Sequence, residues 1–89
     1  MATARAQRKW RHRNHLVKCQ LNVMTRRLVH GYLNQIAARF ALRGKGEAVT
    51  FSAYLARAMM QRAEYGAEVR RMLDGLGTTY HRDRELYSA

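Results

Sequence analysis

One short segment of this chain alternates apolar and polar residues, and it limits the possible folds more than any other feature. In residues 16–24, LVKCQLNVM, every second residue from Val17 to Val23 is apolar and the residues between them are polar. A period of two is typical of a half-buried β-strand. A lone strand leaves its backbone groups unpaired, and a two-stranded ribbon alone is not stable. We therefore expect this strand to pair with that of a second copy and to pack on helices.

The residues after this segment predict a first helix. Its apolar face repeats every four residues and is formed by Leu28, Tyr32, Ile36 and Phe40. That spacing is typical of an amphipathic helix. Thr25 is the expected N-cap. The basic, glycine-containing residues 43–46, RGKG, are expected to end the helix.

Further apolar stripes predict more helical structure towards the C-terminus. Thr50 and Ser52 are candidate caps of a second helix. At the spacing i, i+3, i+4 and i+7 this helix has the apolar Leu55, Ala58 and Met59 and the basic Arg62. A similar stripe continues beyond Gly66 with Val69, Met72, Leu73 and Leu76. Either one long helix crosses Gly66 or a third helix starts there. Gly75 and Gly77 are expected to mark the end.

The predicted fold is therefore mostly α-helical with one N-terminal β-strand. Three parts are expected: a flexible basic arm over residues 1–15, a strand-helix-helix domain over residues 16–63, and a helical extension with a tail over residues 64–89. With 89 residues, a single chain would bury only a modest core. Cys19 is the only cysteine, so no disulfide within the chain can compensate, and a second subunit is expected.

The charge is distributed very unevenly along the chain. Residues 1–45 contain 11 Lys and Arg residues and no acid, whereas residues 46–89 contain six of each sign. A split of this kind indicates a surface that binds a polyanion such as DNA, RNA or an anionic membrane. The basic arm lacks the apolar face that membrane-surface binding needs, so a membrane partner is disfavoured.

Several other classes of protein are also disfavoured. No stretch approaches the ~18 consecutive apolar residues of a membrane span. All six acidic residues lie beyond residue 46, and residues 44–46, GKG, lack the spacing of a phosphate-binding loop. We therefore expect no enzymatic activity, no cofactor and no metal site. The lone thiol suits a reducing, cytoplasmic setting.

The order of strand, helix, glycine-containing turn and helix resembles the ribbon-helix-helix superfamily, which includes the Arc and methionine repressors. Residues 18–23, KCQLNV, are similar to the Arc strand, in which Gln and Asn alternate with apolar residues. Residues 50–58, TFSAYLARA, are similar to the family's Ser-x-Ser-x-Tyr-Ile/Leu-x-Arg-Ala-Leu helix start. The resemblance covers residues 16–63, about half of the chain.

The resemblance implies an intertwined homodimer whose two strands form an antiparallel ribbon. Such a ribbon fits the major groove of double-stranded DNA. The function implied is sequence-specific DNA binding, with transcriptional repression as the expected role and a location in the cytoplasm at the nucleoid. A higher oligomer on DNA and a protein partner at residues 64–89 stay open.

Candidate base-contacting residues follow from the alternation, which places Lys18, Gln20 and Asn22 on one strand face. Gln and Asn amides bind adenine N6 and N7, and Lys donates to guanine O6 and N7. The alternative is an ordinary solvated strand face. The candidate phosphate-contacting residues are Arg11, Arg13, Arg26, Arg27, Arg43, Lys45, Thr50, Phe51 and Ser52. For the last three, the resemblance implies that amides at a helix start grip the DNA backbone.

Other functions remain open from the sequence alone. A plasmid-transfer (relaxosome) accessory protein that bends DNA and an antitoxin with a C-terminal toxin-binding segment both suit the same fold. An RNA-binding structural protein also suits the acid-free half. Readers of single-stranded RNA present aromatic side chains for stacking, and the polar face of this strand has none.

Overall fold

The structure is a computed structural model, and it describes residues 15–88. In this range three complete α-helices follow one another, and a short 3₁₀ turn comes last. They are α1 (Arg27–Arg39), α2 (Lys45–Ala63), α3 (Ala67–Arg82) and the turn Arg84–Leu86. The prediction of a mostly helical chain is confirmed. Most of the predicted arm lies outside the described residues.

Helix α1 packs against α2 and ends earlier than the sequence suggested. Ala37 is buried and Ile36 is half-buried. The other residues of the predicted apolar face are 40–47% exposed: Leu28, Tyr32 and Phe40. The helix ends at Arg39, and Ala41 has a left-handed backbone with φ of 55°. The amide of Leu42 then donates to the carbonyl of Ala37 (2.8 Å), which closes the last turn. The end predicted at residues 43–46 is therefore wrong, because an alanine takes the position that glycine usually fills.

Helix α2 begins at Lys45, so the start predicted at Thr50 is also wrong. Gly44 is the N-cap, and the amide of Ala48 donates to its carbonyl (3.0 Å). Thr50 and Ser52 lie inside the helix. Their hydroxyls donate backwards to the carbonyls of Gly46 (3.5 Å) and Ala48 (2.7 Å), as Ser and Thr do within helices.

The helical structure is interrupted at Gly66, and a third helix starts directly after it. Of the two possibilities left open by the sequence, the structure has the separate helix, with Gly66 as its N-cap. Arg70 fixes the corner, because its guanidinium donates to the carbonyls of Ala63 (3.2 Å) and Glu64 (3.4 Å) at the end of α2. These carbonyls have no partner within the helix itself.

Helix α3 continues through Gly75 and Gly77 to Arg82, so the end predicted at these glycines is wrong. A glycine inside a helix costs only about 1 kcal/mol relative to alanine. The half-buried Val69 and Leu73 of α3 lie on the helix's apolar face, and α3 packs against α2. This packing offsets the low helix propensity of the glycines.

The residues after α3 return to the start of α1. Thr25 and Ser88 form an antiparallel bridge, and the hydroxyl of Thr25 donates to the carbonyl of Tyr87 (3.2 Å). Thr25 is thus not the N-cap that the sequence predicted. Arg26 has that position, without a side-chain capping bond. We call residues 84–88 the C-terminal clasp.

A single chain leaves its large apolar side chains without a core. Within residues 15–88, the buried apolar residues are Ala37 (9% exposed) and Ala48 (0%). Leu21 and Val23 remain 71% and 67% exposed. Folded domains of this size need more buried apolar surface than two alanines supply to offset their lost chain entropy.

The left-handed conformation of Ala41 generates a first prediction. An L-residue with a side chain is strained there, and glycine is not. Ala41→Gly should raise the free energy of unfolding by about 0.5–1 kcal/mol, because relief of the strain exceeds glycine's extra freedom in the unfolded chain. Urea denaturation measures the change.

The matched control is Ala38→Gly, at an exposed position inside α1. This substitution should lower the free energy of unfolding by about 1 kcal/mol. If Ala41→Gly destabilises the protein as much as Ala38→Gly does, the left-handed conformation of Ala41 is contradicted.

Candidate nucleic-acid interface

The alternating segment, residues 16–24, has two different sides. Gln20 Nε2 donates to Asn22 Oδ1 (3.0 Å), so the two amide side chains lie together on one side. Leu21 and Val23 instead line an apolar groove. Asn22 also lines a second, more open pocket together with Leu21 and Val23. Lys18 is exposed, as are Gln20 and Asn22.

No strand pairing is found for this segment within residues 15–88. His15 and Leu16 are helical, so the predicted strand starts too early, and residues 18–24 have no regular secondary structure. Only the next residue, Thr25, forms a β-bridge. Residues 18–24 thus form no strand pairing with the rest of residues 15–88.

The apolar groove lies between the alternating segment, α1 and the start of α2. It has a volume of about 550 Å³. Its apolar walls are formed by Leu21, Val23, Val29, Leu33 and Val49. The polar rim includes Lys45, whose Nζ lies 3.4 Å from His30 Nδ1. An open apolar groove beside an unpaired segment is a surface that another protein element can cover.

The predicted phosphate-contacting residues differ in their surroundings. Arg26 Nε donates to the carbonyl of Ser88 (2.9 Å), so the clasp holds this guanidinium at one edge. Arg27 and Lys45 are exposed at the starts of α1 and α2. Arg43 forms an ion pair with Glu47 (3.2 Å), which reduces its value as a phosphate ligand. Arg11 and Arg13 lie outside the described residues.

The phosphate grip predicted for the amides of Thr50, Phe51 and Ser52 requires a helix start at these residues, whereas α2 starts at Lys45. These residues lie beyond the first turn of α2, where amides donate to carbonyls of the preceding turn. Helix amides without such partners belong to the first turn, which here follows Gly44. Phe51 instead packs against Phe40, with ring centroids 4.5 Å apart.

The first turn of α2 already holds a carboxylate. Glu47 Oε1 accepts a hydrogen bond from the backbone amide of Arg43 (2.8 Å), and Oε2 accepts one from its guanidinium (3.2 Å). The backbone hydrogen bond and then the side-chain hydrogen bond from Arg43 lower the pKa of Glu47 from its ordinary value of 4.5. The negative charge of the Glu47 carboxylate at this helix start therefore repels a phosphate there.

The clasp is the feature that sequence reasoning missed. Its contacts join Thr25 and Arg26 to residues about sixty positions later, and the tail showed no apolar period that would predict them. The tyrosines Tyr80 and Tyr87 were the available signal, because large aromatic residues in a polar tail tend to pack on their own domain.

No protein-family model, curated protein or solved structure matches this chain. Between residues 15 and 88, no helix has the length and apolar character needed to cross a membrane. In the same range, no group of His, Cys, Asp or Glu side chains is placed to hold a metal ion.

The lowered pKa of Glu47 predicts a specific acid dependence of stability. A carboxylate with a depressed folded-state pKa stabilises the protein above its ordinary pKa, and the effect is lost as the pH falls through the folded-state value. Between about pH 5 and about pH 3, the urea midpoint of the wild type should therefore fall more steeply than that of Glu47→Gln.

The control is Glu64→Gln, whose side chain forms no hydrogen bond or ion pair with the described residues. Its acid profile should follow the wild type. If the urea midpoint falls equally steeply with pH in the wild type and in Glu47→Gln, the contact between Arg43 and Glu47 is contradicted.

Proposed function

We propose that this protein is a homodimeric, sequence-specific double-stranded DNA-binding protein of the ribbon-helix-helix type, acting as a transcriptional repressor at the nucleoid. Two alternating segments, one from each copy, form the antiparallel ribbon that enters the major groove. The observation that carries the proposal is the contact between the amides of Gln20 and Asn22, next to an apolar groove that Leu21 and Val23 line.

The packing of the neighbouring helices supports the dimer. The segment precedes two helices, α1 and α2, that pack against each other and leave an apolar groove beside it. A second copy supplies a strand partner and apolar side chains at the same time. Isologous pairing of this kind is the commonest form of homodimer.

The amide pair supports base contact. The bond between Gln20 Nε2 and Asn22 Oδ1 leaves Gln20 Oε1 as an acceptor and Asn22 Nδ2 as a donor. Adenine presents the complementary pair in the major groove, with N6 donating and N7 accepting. The two side chains thus suit joint recognition of one adenine, in addition to the separate contacts that each amide makes alone.

The charge distribution supports the choice of a polyanion. Residues 1–45 carry no acid, and a dimer brings two such halves together. Among the basic residues described between positions 15 and 45, Arg43 alone forms an ion pair. Lysines and arginines without acidic partners near the segment bind phosphates and make affinity dependent on salt.

The test compares DNA selection by the wild type and by a Gln20→Ala/Asn22→Ala variant. A duplex library with a randomised centre is enriched on each protein, and the dissociation constants for the enriched site and for random duplex are measured over a range of salt. The wild type should prefer its site. The variant should lose about tenfold or more of that preference, because each good bidentate contact contributes ~1–3 kcal/mol. Its salt dependence should persist, since the phosphate contacts remain.

The matched control is Asn34→Ala/Gln35→Ala, which removes the same two side-chain types from an exposed part of α1. It should select the wild-type site with unchanged preference. Equal binding of all duplexes by the wild type, or a preference for RNA over DNA, would contradict the proposal and leave a generic polyanion-binding surface.

A further inference from the structure

The C-terminal clasp touches the chain at the junction between the alternating segment and α1. Three contacts hold this junction: the bridge between Thr25 and Ser88, the bond from the Thr25 hydroxyl to Tyr87 O (3.2 Å), and the bond from Arg26 Nε to Ser88 O (2.9 Å). All three contacts involve backbone atoms of the clasp. The clasp therefore constrains the chain direction at residues 25 and 26.

Tyr87 anchors the clasp to two helices. Its ring centroid lies 6.0 Å from that of Tyr80 on α3, with the rings stacked, and 6.4 Å from that of Tyr32 on α1. Aromatic pairs at such separations attract each other beyond simple apolar burial. The ring of Tyr87 thus ties the end of α3 to the first turns of α1, and its backbone holds Thr25.

The alternating segment has few other attachments within the described chain. Within the described chain, the side chains of residues 18–24 form one hydrogen bond, which joins Gln20 and Asn22 inside the segment itself. Arg26, the N-cap of α1, forms no side-chain capping bond. The carbonyl of Arg26 accepts hydrogen bonds from the amides of Val29 (3.0 Å) and His30 (3.3 Å), so α1 itself holds Arg26. Without the clasp, we therefore expect the segment to turn about the backbone dihedrals of Thr25 and to sample more directions. Fixing such a segment before it binds lowers the entropic cost of binding.

The clasp also orients Arg26, a predicted phosphate ligand. A bond at Nε uses one edge of the planar guanidinium and leaves the Nη edge for another acceptor. Because phosphate contacts set the register of a protein on DNA, a held arginine next to the segment fixes where the segment enters the groove.

We propose that the C-terminal clasp positions the alternating segment and Arg26 for base discrimination, with Tyr87 as the positioning residue. This inference rests on the proposed function. It assigns residues 84–88 a part in DNA recognition, although they lie outside the predicted DNA-binding domain and are not predicted base-contacting residues. The clasp acts through Thr25 and Arg26.

The test uses full-length Tyr87→Ala, Tyr87→Phe and the matched control Tyr65→Ala, whose tyrosine is 90% exposed. Each variant is first shown by circular dichroism to be folded at the assay temperature. The measured quantity is the ratio of dissociation constants for random duplex and for the site that the wild type enriches from a randomised duplex library. Tyr87→Ala should lower this ratio about tenfold and keep its affinity for random duplex. Tyr87→Phe keeps the ring and the backbone carbonyl and should retain the ratio, as should Tyr65→Ala.

A purely structural role for Tyr87 would weaken binding to both duplexes alike and leave the ratio unchanged. If Tyr87→Ala does not fold, Thr25→Val replaces it, because it removes only the hydroxyl that donates to Tyr87 O. Thr25→Val should then lower the ratio. An unchanged ratio in the folded variant, with the wild type discriminating, would overturn the clasp and leave the proposed function standing. A wild type without discrimination would overturn both.

Discussion

The apolar groove between the alternating segment and the first two helices is the feature on which the rest of the molecule depends. Leu21 and Val23 lie on its wall with more than half of their surface exposed, and the buried apolar residues of the described chain are two alanines. Burial of apolar surface is the main favourable contribution to folding. One copy thus leaves uncovered the surface that would stabilise it most. In the proposed dimer, a second copy would supply apolar side chains to cover this groove.

In the proposed dimer, the same alternation would couple folding to recognition. Leu21 and Val23 line the groove, so a second copy that covers the groove would favour an outward position of Gln20 and Asn22. A slip of one residue would turn Leu21 outward and the amides inward, and burial of the amides without partners would oppose it. The clasp at Thr25 limits such movement at one end of the segment. In the proposed dimer, the stability of the protein and the outward position of the amide pair therefore depend on the same pairing register of the alternating segment.

Periodic features were predictable from the sequence, and single-residue features were not. The helical content follows from spacing, because many residues contribute to a repeat. The predicted apolar face of α1 agrees less well, because Ile36 is half-buried while Tyr32 and Phe40 are exposed. Caps depend on one residue, and Thr50 resembles a cap although α2 starts at Lys45, where Glu47 and Arg43 stabilise the first turn. The contacts of Tyr87 depend on how the chain returns across sixty residues, which no local pattern encodes.

The most direct test of this account is the urea midpoint of unfolding measured at several chain concentrations, with the mass in native conditions determined by sedimentation equilibrium. If two copies together form the folded unit, the midpoint rises with chain concentration and the native mass is that of a dimer, because mass action favours the associated state. A midpoint that does not change with concentration, together with a monomeric mass, would contradict the claim that a second copy covers the groove.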